Sequence, residues 1–411
     1  MRIIQYIGVI LFFFLVSCEK DNVEPQKTRT LMVYLAGDNN LSGHMQKNIS
    51  SMMSAWKKSY NANIVIYFDA PNAAPELYTF RFNGKEVEKQ VLKTYEEMDS
   101  ADPEVLKEVL NEMQDLYPSD SYGLILGSHA SGWIPSGGSG RSSRMLYAEP
   151  VLTRSFGTDY TGPNEMDTRD MAKAIPFNKE NLEFILFDAC LMSSIEVLYD
   201  LRDKAKYVIA SPAELPAPGF PYNRVMPYFW GKGTNLEKDL VKVCDEFWDY
   251  YNTYNATNRF GTIALIKMDG MEHLFDLTRE ILQGKKDYVA DIYQKAVYCY
   301  PMVEYSKHDR FFDLGEYMKY MTEGKYDRFF DLGEYMKYMT EGREGLYKEY
   351  RDFLDNQVVI YKNVTNPFYY ISIPEEKFSG IATYIPLSIW PTETNAYWGF
   401  SWSGVYDVVT E

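Results

Sequence analysis

Residues Phe184–Ser194, which read FILFDACLMSS, decide how the rest of the sequence is interpreted. The apolar run Phe184–Phe187 ends at Asp188–Cys190, and Leu191–Leu198 then shows helical periodicity. A short apolar run that leads directly into such a pattern is typical of a buried parallel strand followed by a helix. Chemistry in open α/β sheets lies at the carboxyl ends of strands. Cys190 therefore occupies the position of a nucleophile, and we expect a nearby helix N-terminus to favour its thiolate.

A second stretch has the same form. Tyr122–Ser128 is predicted as a buried strand, and His129 follows at its end. Because adjacent parallel strands end at the same edge of a sheet, the two positions predict a Cys–His pair. The alternative is that Cys190 is a buried structural thiol and that His129 is a loop histidine with its hydrogen bonds satisfied.

Strands and helices alternate along much of the chain, which predicts an α/β fold with a parallel or mixed sheet covered on both faces. After Tyr222 the pattern becomes more helical. The predicted strands are Arg29–Ala36, Asn63–Asp69, a hairpin of Leu77–Asn83 and Val87–Tyr95, Lys206–Ser211, Gln357–Ser372 and Phe378–Pro386; the predicted helices are Leu41–Lys57, Pro103–Tyr117 with Asp102 as its cap, Leu236–Tyr251, Met271–Leu282 and Lys285–Tyr298.

Six segments together resemble the clostripain-type (C11) cysteine peptidases of the caspase–gingipain clan, in the family's order. The resemblance implies a caspase-like sheet of mainly parallel strands flanked by helices, with a catalytic core over 28–225. Residues 226–411 would complete the fold as a more helical part. The segments are LMVYLAGDNNLS (Leu31–Ser42), LILGSHASGW (Leu124–Trp133), SFGTDYTG (Ser155–Gly162), FILFDACLMSSIEVLYDL (Phe184–Leu201), IASPAELPAPGFPY (Ile209–Tyr222) and FSGIATYIP (Phe378–Pro386).

This resemblance implies a cysteine endopeptidase that cleaves protein or peptide substrates after Arg or Lys through His129 and Cys190. Backbone N–H groups of Ala130 and Cys190 would bind the oxyanion. Asp188 matches an acidic residue at the floor of the family's S1 pocket, where a carboxylate selects a basic side chain. Glu214 is a candidate for a second acidic wall. The alternative for Asp188 is that it caps the helix that follows.

One departure from the family pattern leaves a function without catalysis as an alternative. The family usually has His-Gly where this chain has His129-Ala130, and alanine resists a positive φ if the turn requires one. The alternative function is a catalytically inactive surface lipoprotein of the same fold that binds peptides or proteins. A further alternative is a structural or adhesive surface protein that uses its 35 tyrosines.

The N-terminus predicts export. Residues 1–17 are predicted to be a signal peptide, with one charged residue followed by an apolar run. This run is too short for a stable membrane span. Leu15–Cys18 resembles a bacterial lipobox, which implies that Cys18 is lipidated and anchors the mature chain through residues 18–27, a polar tether. Together these features predict an outer-membrane lipoprotein of a Gram-negative bacterium, with a weak signal for surface exposure.

Two further segments are unusual. The connection Ile134–Met166 is rich in Gly, Ser and Arg, and the resemblance implies an activating cut there after a basic residue. The alternative is a plain surface loop. A tandem repeat spans 309–342, in which DRFFDLGEYMKYMTEG occurs twice with its apolar stripe and terminal glycine, and we interpret it as a duplicated peripheral helix. The candidate cleavage residues are Arg141, Arg144 and Arg154.

Composition limits the partners. A formal net charge of −16 over 411 residues disfavours nucleic acid. Four His and no Cys-x-x-Cys spacing argue against a zinc site, and the acidic clusters lack EF-hand spacing, so no metal site is assigned. Calcium is the one cofactor that the resemblance suggests, since the family includes calcium-dependent members. Cys244 lies in an amphipathic pattern and is predicted to be a core residue.

Overall fold

The computed structural model describes residues 29–134, 156–157, 159–162, 165–231, 235–253, 259–285, 329–366, 373–386 and 391–409. None of the helices in these ranges is long and apolar enough to cross a membrane. Several sequence predictions lie outside the described residues. They are the signal peptide 1–17, Cys18 and the tether, the candidate cleavage residues Arg141, Arg144 and Arg154, all but the first residue of the helix Lys285–Tyr298, and the first copy of the repeat.

A nine-stranded mixed sheet forms the centre of the molecule, in the order β10-β8-β7-β6-β5-β1-β2-β3-β4. The five strands from β7 to β2 are parallel to one another, and the strands at both edges pair antiparallel. β9 and β11 form a separate antiparallel pair. The strands are β1 (Arg29–Ala36), β2 (Asn63–Ala70), β3 (Ala73–Phe82), β4 (Val87–Thr94), β5 (Ser121–Gly127), β6 (Leu182–Asp188), β7 (Tyr207–Ala210), β8 (Thr262–Lys267), β9 (Phe330–Asp331), β10 (Val359–Val364) and β11 (Ala382–Thr383).

Helices cover both faces of this sheet, which confirms the predicted α/β class. One hydrophobic cluster includes residues of α1, α5 and α6, and the other includes residues of α2, α3, α4 and α7. The helices are α1 (Ser42–Ala55), α2 (Pro103–Leu116), α3 (Thr168–Ala174), α4 (Ile195–Asp200), α5 (Tyr222–Val225), α6 (Leu236–Thr253), α7 (Met271–Leu282), α8 (Leu332–Met339), α9 (Glu344–Phe353) and α10 (Pro391–Tyr397).

The central strands are continuous apolar runs because both of their faces are buried. Every residue of β1 and of β5 is buried. Alternate residues of β1 enter opposite clusters, with Tyr34 on one face and Val33 on the other. Gly123 is required where β5 passes β6, because a Cβ at this position would lie 2.4 Å from the Phe184 ring. This packing aligns β5 and β6 closely, which matters for the residues that follow them.

The second copy of the repeat is part of the core, so the prediction of a peripheral helix is wrong for it. Phe330–Asp331 forms β9, and Asp331 accepts a hydrogen bond from the Glu334 backbone N–H at 2.9 Å as the N-cap of α8. The predicted apolar stripe is buried because α8 packs into the main hydrophobic cluster. Its members are Phe329, Leu332, Met336 and Met339.

Two strand predictions near the C-terminus differ from the structure. Within Gln357–Ser372, Val359–Val364 is a strand, and residues 367–372 lie outside the described residues. The prediction Phe378–Pro386 was too long, because only Ala382–Thr383 of it is a strand. The latter segment instead bonds to the loop after Cys190, since the Ala382 N–H donates to the Ser193 carbonyl at 2.9 Å. This end of the chain therefore supports the loop that carries the candidate nucleophile.

A buried carboxyl group joins α4 to the same C-terminal segment. Glu196 has no exposed surface; its Oε1 accepts from the Tyr384 N–H at 2.8 Å and from the Thr383 hydroxyl at 3.2 Å. Oε2 has no hydrogen-bond partner among the residues that the structure describes. Burial raises the pKa of Glu196 to about 8, although these hydrogen bonds oppose the shift. The side chain is therefore neutral in the folded protein at neutral pH.

Glu196→Gln is expected to remove part of the pH dependence of stability. The unfolded carboxyl ionises near pH 4.3, whereas the folded one holds its proton to about pH 8. The unfolded state thus binds fewer protons between these values, so wild-type stability falls as pH rises through this window. Gln keeps the acceptor oxygen but cannot ionise. Urea unfolding measures the free energy of unfolding at about pH 5 and about pH 8. The decrease between these two pH values should be smaller by about 1–3 kcal/mol in the variant than in the wild type. The same decrease in both proteins would contradict a raised pKa at Glu196.

Candidate active site

The register of β5 and β6 places His129 and Cys190 at the same edge of the sheet. Gly127 lies opposite Asp188 in this parallel pair. His129 and Cys190 each follow two residues later, and neighbouring strands lie about 4.8 Å apart. Both residues therefore leave the sheet at matched positions.

The two loops that follow these strands are in direct contact. Gly132, after β5, has a φ of +63°, and a Cβ at this position would lie 2.6 Å from the Leu191 carbonyl oxygen. Glycine is required there by both the backbone conformation and the close approach. The histidine loop is thus packed against the residue that follows Cys190.

Cys190 is partly buried, and its thiol is held by the backbone of Leu215. The Leu215 N–H donates to Sγ at 3.3 Å, and Sγ lies 3.8 Å from the Leu215 carbonyl oxygen. Burial, followed by the charge of Glu214, raises the pKa of the Cys190 thiol to about 12; Asp188 adds to this effect, and the Leu215 N–H opposes it. The thiol is neutral in this arrangement.

The prediction of a helix N-terminus next to Cys190 is wrong. α4 begins at Ile195, five residues further on, and Leu191 adopts the left-handed conformation with a φ of +63°. The loop has its own backbone partners, because the N–H groups of Leu191 and Ser193 donate to the carbonyls of Ala213 and Ser211, both at 2.9 Å. A non-glycine residue in this conformation stores strain next to the candidate nucleophile.

His129 is fixed from two sides. Its Nε2 lies 2.6 Å from Asn40 Oδ1, in the turn after β1. Its carbonyl accepts from the Gly157 N–H at 3.0 Å, and the next residue, Ala130, forms an isolated bridge with Phe156. Ala130 is not among the described residues with positive φ, so this turn does not require the glycine that the family usually has.

Asp188 points toward the segment before α5. Its Oδ2 accepts from the Tyr222 hydroxyl at 2.8 Å and from the Phe220 N–H at 3.5 Å. Gly219 has a φ of +69°, and a Cβ there would lie 2.5 Å from Oδ1. Burial raises the pKa of Asp188 to about 6, opposed by the hydrogen bonds of Tyr222 and Phe220. The alternative that Asp188 caps the helix is wrong, because the N-cap residue of α4 is Ser194.

Glu214 lies in the same segment, one residue before the Leu215 backbone that holds Cys190. It is half-buried, and its charge acts on the Cys190 thiol. Two acidic residues thus act on the candidate nucleophile: Asp188 at the end of β6, and Glu214 in the segment that follows β7. The arrangement combines a thiol, an imidazole and negative charge, which suits attack on a peptide bond next to a basic side chain.

Three contacts at this site were not predicted from the sequence. They involve the Leu215 backbone, the Tyr222 hydroxyl and Gly219, all within Ile209–Tyr222. The glycine and prolines in LPAPGFPY favour a tight turn, but they do not indicate that this turn would face Cys190 and Asp188.

Comparisons with known proteins agree on one family. A family model described as the clostripain family matches residues 33–395. Clostripain of Hathewaya histolytica is 28% identical over 250 residues, which is 54% of this chain and 46% of clostripain. The chain thus matches less than half of the length of this curated relative.

Two solved structures share most of the fold. An inactive zymogen of a C11 protease from Parabacteroides distasonis has a TM-score of 0.71 and 29% identity over 93% of this chain and 99% of its own. A secreted C11 cysteine protease from Bacteroides thetaiotaomicron, in complex with an irreversible peptide inhibitor, has a TM-score of 0.71 and 28% identity, covering 92% and 99% of the two chains.

Proposed function

This chain belongs to the clostripain family, with the family's caspase-like fold, and we propose that it is an exported cysteine endopeptidase that cleaves peptide bonds after Arg or Lys. The observation that carries this proposal is the pairing of Gly127 with Asp188, since it brings the histidine and cysteine loops to one sheet edge. The partly buried Asp188 carboxyl beside the same loop supplies the reason for the proposed basic preference.

In the proposed reaction, the Cys190 thiolate attacks the substrate carbonyl and an acyl-enzyme forms. His129 protonates the leaving amine, and water then hydrolyses the thioester. Backbone N–H groups of Ala130 and Cys190 stabilise the oxyanion. Because the thiol is neutral in the described arrangement, His129 must approach it and accept its proton before attack; this same proton then passes to the leaving amine. A cut at Arg141, Arg144 or Arg154, outside the described residues, is the proposed trigger.

Specificity follows from charge at the base of the site. A substrate Arg or Lys side chain would enter beside Asp188 and Glu214, where Arg has the geometry for paired hydrogen bonds to a carboxylate. The Tyr222 hydroxyl and Gly219 fix the Asp188 carboxyl and leave it room. The proposed substrates are therefore proteins and peptides with accessible basic residues.

The test uses the chain from Glu19 to Glu411 with fluorogenic peptides that end in Arg, Lys, Asp or Leu. Turnover of the Arg and Lys peptides alone supports the proposal. The assay is run before and after limited proteolysis of the Arg141–Arg154 loop, since an uncut chain with a neutral thiol would be slow. Absence of turnover in both states would contradict the peptidase function.

The alternative is a binding protein that keeps the fold without the reaction, and the neutral, backbone-held Cys190 thiol favours it. An Arg-based acyloxymethyl ketone separates the two functions, because it alkylates only a reactive thiol beside an S1 pocket that accepts a basic side chain. Covalent labelling of Cys190, found by mass spectrometry, supports the enzyme. A chain that binds basic peptides reversibly and resists the ketone after cleavage supports the alternative.

Membrane attachment is proposed through a lipid on Cys18, which would place the peptidase on the outer membrane. The LVSC sequence at Leu15–Cys18 supports this attachment. Expression in a Gram-negative host tests it, because Cys18→Ser should move the protein from the membrane fraction to the soluble fraction. An unchanged distribution would exclude the anchor.

A further inference from the structure

The second copy of the tandem repeat fills a buried site next to the loop that carries His129. Its strand β9 pairs with β11, and the Leu332 N–H donates to the Ile381 carbonyl at 3.0 Å. The Phe329 ring lies against Gly132 in the histidine loop, since a Cβ on this glycine would be 3.1 Å from the ring. The surface that the copy contacts is called the repeat site, and it is formed by Gly132, Ser379, Ile381, β11 and Tyr406.

Side chains of the second copy hold it in the repeat site. Asp331 Oδ2 accepts from the Ser379 N–H and hydroxyl at 2.7 and 2.8 Å, and the Tyr335 hydroxyl accepts from the Tyr406 hydroxyl at 3.3 Å. Gly342, after α8, has a φ of +77°, which favours glycine. The residues of the copy that make these contacts all lie within the stretch DRFFDLGEYMKYMTEG. Its large buried side chains are Phe329, Phe330, Leu332, Tyr335, Met336 and Met339.

The first copy has the same residue at every one of these positions. Asp309–Gly324 is identical in sequence to Asp327–Gly342, at an offset of 18 residues, so that Met318 corresponds to Met336. The first copy lies outside the described residues. Identical side chains can make identical contacts, so both copies fit the repeat site equally well. The free energies of the two possible arrangements then differ only through the connections that flank the copies.

The flanking connections favour the second copy. Thr340–Arg343 joins α8 to α9, and Arg343 donates to the Ile281 carbonyl at 3.1 Å. With the first copy in the repeat site, Lys325 would take the position of Arg343, and this connection would gain 18 residues. The connection from α7 would lose the same number. Loop-closure entropy depends on the logarithm of length, so lengthening the short connection costs more than shortening the long one gains. The expected preference for the second copy is on the order of tenfold.

We propose that the two copies of the repeat exchange at the repeat site, so that the protein has two folded arrangements. The second copy fills the site in most molecules, and the first copy fills it in the others. Both copies offer the same contacts to Gly132 and to β11, whose Ala382 N–H bonds to the Ser193 carbonyl in the cysteine loop. Either copy therefore supports the two loops of the candidate active site, and a defect in the second copy is compensated by the first.

The experiment compares the same substitution in the two copies, in the Cys190→Ala chain, so its outcome does not depend on catalysis. Met336→Asp places a carboxylate at a fully buried position of the second copy. It should lower Tm by only about 5 °C, because the first copy takes over the site. Met318→Asp, the matched control in the first copy, should lower Tm by less than about 2 °C. The chain with both substitutions should lose at least about 10 °C, since a buried carboxylate then has no alternative.

A chain that lacks residues 307–324 has one copy and serves as the reference. Met336→Asp in this chain should also lower Tm by at least about 10 °C. Equal losses of Tm from Met336→Asp in the one-copy and two-copy chains would overturn the exchange. Hydrogen exchange with mass spectrometry separates the copies, because the substitution changes the mass of one; in Met336→Asp, amide protection should move to the first copy. Rescue that requires dimers in size-exclusion chromatography would overturn exchange within one chain.

Discussion

Cys190→Ala is expected to lower kcat/KM for Arg and Lys peptides by at least about 10³-fold, to the level of the uncatalysed reaction in the assay. The reason is that Cys190 supplies the sulfur that forms the bond to the substrate carbonyl. His129 could still position water, but water at neutral pH is a far weaker nucleophile than a thiolate. The measurement is initial rates with fluorogenic peptides on chain that has been cut in the Arg141–Arg154 loop.

Cys244→Ala is the matched control for this loss. Cys244 is a free cysteine that is fully buried on α6, in the hydrophobic cluster on one face of the sheet. Its removal creates a small cavity and no chemical defect, so activity should remain within about twofold under conditions where the protein is folded. Circular dichroism and Tm for both variants show whether folding is intact. Activity that survives in Cys190→Ala, or is lost equally in Cys244→Ala, would contradict the nucleophile assignment.

Asp188→Asn is expected to lower kcat/KM for Arg and Lys peptides by about 10²–10³-fold, with little change for a Leu peptide. A substrate guanidinium would lose a charged partner at the base of the site and keep only a neutral amide. The charge of Asp188 also raises the pKa of the Cys190 thiol, so its removal should make the thiol more acidic. Iodoacetamide should therefore alkylate Cys190 in the variant at least as fast as in the parent. Slower alkylation would indicate that the site had collapsed and would contradict the specificity role.

The same carboxyl predicts the acidic limb of the pH profile. With the pKa of Asp188 raised to about 6, its negative charge is complete above this value and is lost as pH falls through it. For Arg peptides, kcat/KM should fall accordingly, because the profile of kcat/KM reports groups on the free enzyme. Tyr222→Phe removes a hydrogen bond that stabilises the charged form, so the limb should move to higher pH while the preference for Arg remains. A limb that does not move would indicate that another group controls it.

Short-range patterns were sufficient for most of the elements around the site. The apolar runs at Tyr122–Ser128 and Phe184–Phe187 correctly predicted adjacent buried strands, because continuous hydrophobicity is what burial on both faces requires. Asp102 and Pro103 predicted the start of α2, where Asp102 accepts from the Glu104 N–H at 2.8 Å. These signals depend on residues within one or two turns of each other, so the chain carries them without its fold.

Tertiary structure decided the start of α4 and the protonation state of Cys190, which the sequence does not reveal. Leu191–Leu198 has helical periodicity, but α4 begins only at Ile195. The reason is that Leu191 and Ser193 donate hydrogen bonds to residues 211–213, and Leu191 has a left-handed conformation. The protonation state of Cys190 depends on burial and on Glu214 and Leu215, about 25 residues away in the chain. The sequence determined which segments form strands and helices and placed His and Cys at strand ends, because local periodicity and capping are properties of neighbours. Only the fold determined their charges and partners, because burial and electrostatic interactions act between residues that are distant along the chain and adjacent in space.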